Sequence, residues 1–73
     1  MAELTHAQYD QLERAIATGA RVAVQRRGRR EYVFVPLRLR AEGRREVIDA
    51  LNPTTGDDLM IYVDEIDSME IVA

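Results

Sequence analysis

The stretch GARVAVQRRGRREYVFVPLRLR, residues 19–40, decides the fold. Val22 and Val24 alternate with Arg21, Ala23 and Gln25, the period of two that belongs to a strand with one buried face. Arg26-Arg27-Gly28-Arg29-Arg30 follows as a turn centred on its one glycine, and Tyr32 and Phe34 resume the alternation beyond it. The result is a hairpin with a basic tip. Pro36 then interrupts the second strand. Lacking an amide proton, it belongs at a bulge or an edge, where a strand bends sharply. Val33 and Val35 precede it and Leu37 and Leu39 follow, so the sequence predicts a change of face at this point.

Upstream of Gly19 the period is near 3.6. Thr5 followed three residues later by Gln8 is a capping box, and Leu4 with Tyr9 forms the matching hydrophobic staple. Gly19 stands where a left-handed residue ends a helix. The helix runs from about Thr5 to Thr18, with Tyr9, Leu12, Ala15 and Ile16 on its buried stripe. Downstream of Leu39, a turn around Gly43 leads to a third strand holding Val47, Ile48 and Leu51. Asn52 to Asp57 is loop chemistry throughout. Leu59, Ile61 and Val63 form a fourth strand, Asp64 to Asp67 one short helical turn, and Met69, Ile71 and Val72 a fifth strand. The expected fold is α+β: an N-terminal helix followed by a strongly bent, antiparallel, five-stranded barrel of the SH3/Sm-like kind, closed to hide its edges. Seventy-three residues leave no room for a second core, so the boundaries are one domain over 1–73, helix at 5–18 and barrel at 20–73.

Composition narrows the functions. Cys is absent and His6 is the only histidine, so neither disulfides nor a zinc site can staple the fold. No apolar run approaches the roughly 20 residues of a membrane helix. Met1 to Leu12 lacks the pattern of a signal peptide, which makes the expected location cytoplasmic, with no membrane partner. The net charge of −3 conceals a strong sorting: residues 21–45 hold nine Arg against Glu31 and Glu42, a balance of +7, whereas residues 46–73 hold eight acids and no base. Every cation is Arg, the side chain suited to bidentate contact with phosphate or carboxylate.

The run from Tyr9 to Val72 resembles the WYL domain, a small Sm-like, SH3-type barrel of bacterial transcription regulators. The likeness lies in Leu12 to Ile16 with Arg21-Val22, in Phe34-Val35-Pro36-Leu37, and in Ile61-Tyr62-Val63-Asp64-Glu65-Ile66 leading to Met69-Glu70-Ile71-Val72. Where that family carries its Trp-Tyr-Leu signature this chain has Glu46-Val47-Ile48. A second Sm-like group, the Rho-binding antitermination proteins, is similar in Tyr9 to Ala15 and in the aspartate-rich turn ending at Ile66. The first resemblance implies a regulatory binding module, the second a protein that docks on transcription machinery through acidic surface.

Two candidate surfaces follow from the charge sorting. Arg26, Arg27, Arg29 and Arg30 at the first hairpin tip, with Arg38, Arg40, Arg44 and Arg45 around the next turn, form a basic ridge able to grip phosphates. Alternatively those arginines solubilise exposed turns or pair with Glu31, Glu42 or Glu46 across strands. Asp57, Asp58, Asp64, Glu65 and Asp67 offer an acidic surface to a basic protein partner, and their spacing is not that of a calcium loop. His6, Ser68, Thr54 and Thr55 sit in turns or at a helix end without the spacing of a catalytic triad. The expectation is a noncatalytic bacterial regulatory module without cofactor or metal. Its ligand is nucleic acid, a nucleotide or another anion held by the arginine hairpins; the alternative is a protein-interaction module using the acidic half or a sheet edge. Self-association is compatible with both.

Overall fold

The computed structural model describes residues 4–72; Met1 to Glu3 and Ala73, which the expected domain boundaries include, lie outside them. Thr5 caps helix α1 (His6–Thr18), its hydroxyl accepting from the Gln8 amide at 3.1 Å while the Gln8 side chain accepts from the Thr5 amide at 2.8 Å. At the other end Gly19 adopts φ 72°, the left-handed conformation that costs a glycine little, and Ala20 donates to the Ala15 carbonyl at 3.0 Å. Leu12 and Ala15 are buried and Tyr9 and Ile16 half-buried, so the predicted stripe is the packed one. Leu4 joins the same core, against which Tyr9 packs.

Five antiparallel strands follow: β1 (Arg21–Arg26), β2 (Glu31–Glu42), β3 (Arg45–Leu51), β4 (Asp58–Tyr62) and β5 (Ile66–Val72), in the order β4-β3-β2-β1-β5. The fold is therefore α+β. The helix packs on β1, β2 and β5. Phe34, Leu12, Ile48, Ile61, Val22 and Val24 are the large side chains at the centre of the core, and among the described residues no polar or charged one is buried.

The bend falls in β2. Its first half pairs with β1, Val22 opposite Phe34, and its second half with β3, Val35 opposite Leu51. Pro36 faces Ala50 and Arg38 faces Asp49, which leaves Leu37 as the extra residue of a bulge. Up to the bulge the even positions Phe34 and Pro36 point inward; beyond it Leu39 turns in and Arg38 and Arg40 turn out. Leu37 itself is left 45% exposed. The face change expected at Pro36 is thus achieved by one inserted residue.

Closure is not reached. Among the described residues no ladder joins β4 to β5, so the sheet has two open edges and the closed barrel expected from the sequence is not formed by its hydrogen bonds. A 3-10 helix (Val63–Glu65), beginning one residue before the expected turn, carries the chain from one edge to the other. Three residues span only a short gap, so β4 and β5 converge at that corner. The Arg27 amide donates to the Glu65 carbonyl there at 3.2 Å, tying the first hairpin to the crossing.

Candidate functional site

The β1–β2 tip is built by its own backbone. Arg29 donates to the Arg26 carbonyl at 3.0 Å, Gly28 takes φ 65°, and the Gln25 side-chain amide donates to the Arg29 carbonyl. Arg27, Arg29 and Arg30 are exposed on it, and none makes an ion pair within the described residues. Arg26 behaves differently. Its guanidinium lies 5.6 Å from the Tyr32 ring centroid and 4.0 Å from Glu65, with the side chain only 21% exposed and its Nε without a partner. That arginine holds the hairpin base to the 3-10 crossing.

Around the second turn the basic ridge is largely neutralised. Arg38 and Arg40 both donate through Nε to one oxygen of Asp49, at 2.7 and 2.8 Å, and Arg40 also reaches Glu42 at 3.2 Å. The hydrogen bond from Arg40, then that from Arg38, holds the Asp49 carboxyl below its usual 3.8. Arg45 forks onto Asp64 with bonds of 2.9 and 2.7 Å, approaches Glu65 at 3.5 Å, and lies over the Tyr62 ring at 3.6 Å. The Arg45 hydrogen bonds likewise lower the Asp64 carboxyl. Arg44, next along the turn, is exposed and has no ion pair among the described residues.

The acidic surface is divided in the same way. Asp64 and Glu65 face Arg45, while Asp57, Asp58 and Asp67 are exposed without ion pairs among the described residues. Asp57 sits in the β3–β4 loop, where its amide donates to Thr55 Oγ1 at 3.2 Å and its carbonyl accepts from Asn52 at 2.9 Å. Three partners were missed by the sequence reading: Asp49, which takes both Arg38 and Arg40; Tyr62, beneath Arg45; and Glu46, which accepts from the Tyr9 hydroxyl. Asp49 could have been found, because it alternates with the core positions Ile48 and Ala50 and so had to stand on the outer face beside Arg38.

The two arginine turns converge. Arg27 from the first and Arg45 from the second border one open groove of about 470 Å³, completed by Asp64 and Glu65. From the β1–β2 tip it is Arg27 that lines the groove, beside the Arg45–Asp64 fork. Among the described residues no group of three or more His, Cys, Asp and Glu side chains is placed to hold a metal ion, and no helix is long and apolar enough to cross a membrane. Compared with known proteins, the sequence matches no family model and no curated relative.

Proposed function

We propose that this chain is a noncatalytic regulatory binding module of the cytoplasm that holds an anionic polymer, nucleic acid above all, at the β1–β2 tip. The observation that carries the reading is the unequal neutralisation of the arginines. Arg38, Arg40 and Arg45 have carboxylates in hand, whereas Arg27, Arg29 and Arg30 make no ion pair among the described residues, Arg27 acting on Asp64 only at longer range. Guanidiniums clustered without carboxylates raise the local potential and offer forked hydrogen bonds that match phosphate oxygens. Exposed guanidiniums at a turn tip reach phosphate oxygens first, so contact is to the backbone of the polymer and indifferent to its sequence. The strand order and the 3-10 crossing between β4 and β5 support the Sm/SH3-type barrel reading, with its likeness to the WYL domain.

The test is fluorescence anisotropy with labelled single-stranded RNA and duplex DNA at about 50 and about 200 mM salt. Three phosphate contacts give a slope of log K against log salt of about −2 to −3. The triple variant Arg27→Gln, Arg29→Gln, Arg30→Gln should lose most of that slope while keeping its circular dichroism. Equal binding by the variant, or no binding at low salt, overturns the reading. It would leave protein docking at an open sheet edge as the alternative.

A further inference from the structure

We infer that β4 is a self-association edge: two copies pair through Asp58–Tyr62, antiparallel, about a twofold axis at Met60. An edge strand offers a row of unsatisfied amides and carbonyls, and chains that must stay apart guard it with charge, proline or irregularity. The two edges of this sheet are not guarded alike. β5 carries Asp67 and Glu70 on exposed positions, and its ladder with β1 is broken by a register shift at Gln25/Arg26. β4 has neither proline nor bulge, a single charge at its first residue, and Met60 left 44% exposed at its centre.

The residue pattern of β4 fits its own reverse. Full overlap of a five-residue edge with a second copy centres the pair on Met60 and keeps each face in step, because only an even shift preserves which side chains point inward. Leu59 then meets the second copy's Ile61, apolar against apolar. On the outer face Met60 meets Met60, and Asp58 meets the second copy's Tyr62. That ring carries the Arg45 guanidinium at 3.6 Å, so the unpaired Asp58 carboxylate arrives beside an arginine. No like charges oppose each other among the β4 residues themselves, the Arg40 that donates to each Met60 sulfur at 3.3 Å lying off the strand, and both copies gain the same contacts, as a twofold interface requires. A core this small, with no disulfide, is the kind that gains from such pairing.

The absence of cysteine makes the register directly testable on the full chain. Residues facing each other across an antiparallel pair have Cα atoms about 4.5 to 5.5 Å apart, within disulfide reach. Met60→Cys should therefore cross-link to a dimer under mild oxidation. Asp58→Cys places its two sulfurs on residues separated by about 14 Å along the pair and should cross-link about tenfold more slowly or not at all. In parallel, sedimentation equilibrium of the unmodified protein should give a mass approaching twice the 8.3 kDa of one chain as concentration rises. A single-chain mass from micromolar to sub-millimolar protein, or equal cross-linking rates for the two variants, overturns the inference. A doubled mass with no cross-link through Met60→Cys also overturns it, since the copies would then meet elsewhere.

Discussion

Arg45 lies over Tyr62, its guanidinium carbon 3.6 Å from the ring centroid, while its Nε and Nη2 donate to Asp64. One side chain thus ties the start of β3 to the end of β4 and to the 3-10 crossing. Lysine can neither stack as a plane nor donate as a fork. Arg45→Lys should let the Asp64 carboxyl rise toward its usual 3.8, read from the carboxyl carbon shift in an NMR titration. An unchanged Asp64 midpoint would show that the fork is not formed in solution.

Acid should destabilise the fold through two carboxyls. Asp49 is lowered chiefly by its hydrogen bonds from Arg40 and Arg38, and Asp64 by those from Arg45. A carboxyl whose folded pKa lies below its unfolded one adds stability that is fully present above the unfolded value and is lost as pH falls through the folded one. The thermal midpoint should hold steady down to about pH 5 and fall below pH 4. The double variant Asp49→Asn, Asp64→Asn should flatten that fall, and an equally steep fall in the variant would remove these two groups as its cause.

The core should show a graded response to truncation. Leu12 is fully buried between helix and sheet, and Leu12→Ala should cost about 3 kcal/mol in urea unfolding. Ile48→Val, one methyl smaller at a fully buried site, should cost about 1 kcal/mol. Reversal of that order would mean the helix is not seated on the sheet as described.

Leu37 is predicted to matter by being there and not by what it is. Leu37→Ser should fold, since the side chain is 45% exposed. Deleting the residue keeps both faces in step, with Pro36 and Leu39 still inward and Arg38 and Arg40 still outward, but removes the bulge that bends β2, so the deletion variant should be the less stable of the two. Urea unfolding of the two variants decides it; equal stability would show that β2 bends without its extra residue.

How far the sequence could be read follows from where each signal lives. Thr5, Gln8 and Gly19 act within one turn of helix, so the limits of α1 were legible to a residue. Pro36 announced the bend, because a missing amide is a local fact. Closure was not legible, since it depends on the angle at which β4 and β5 meet, and no residue type encodes that. At the candidate site the charge clusters were visible, and so was the outer face on which Asp49 stands, but the register that pairs it with Arg38 was not. Asp49 lies eleven residues from Arg38 in sequence, and the register that joins them is set by the bulge at Leu37.

The pairing of β1 with β5 has a consequence for the order of folding. Arg21 finds its partner in Val72, and Val22 in Ile71, some fifty residues along the chain, whereas the β1–β2, β2–β3 and β3–β4 ladders join near neighbours. Closing a long loop is an entropic cost met before its contacts give anything back. The local hairpins can therefore assemble as a meander while β1 is still exposed along one side. Arrival of β5 should then be the slow step, leaving the core strand that holds Val22, Ala23 and Val24 open to mispairing with another chain until it docks.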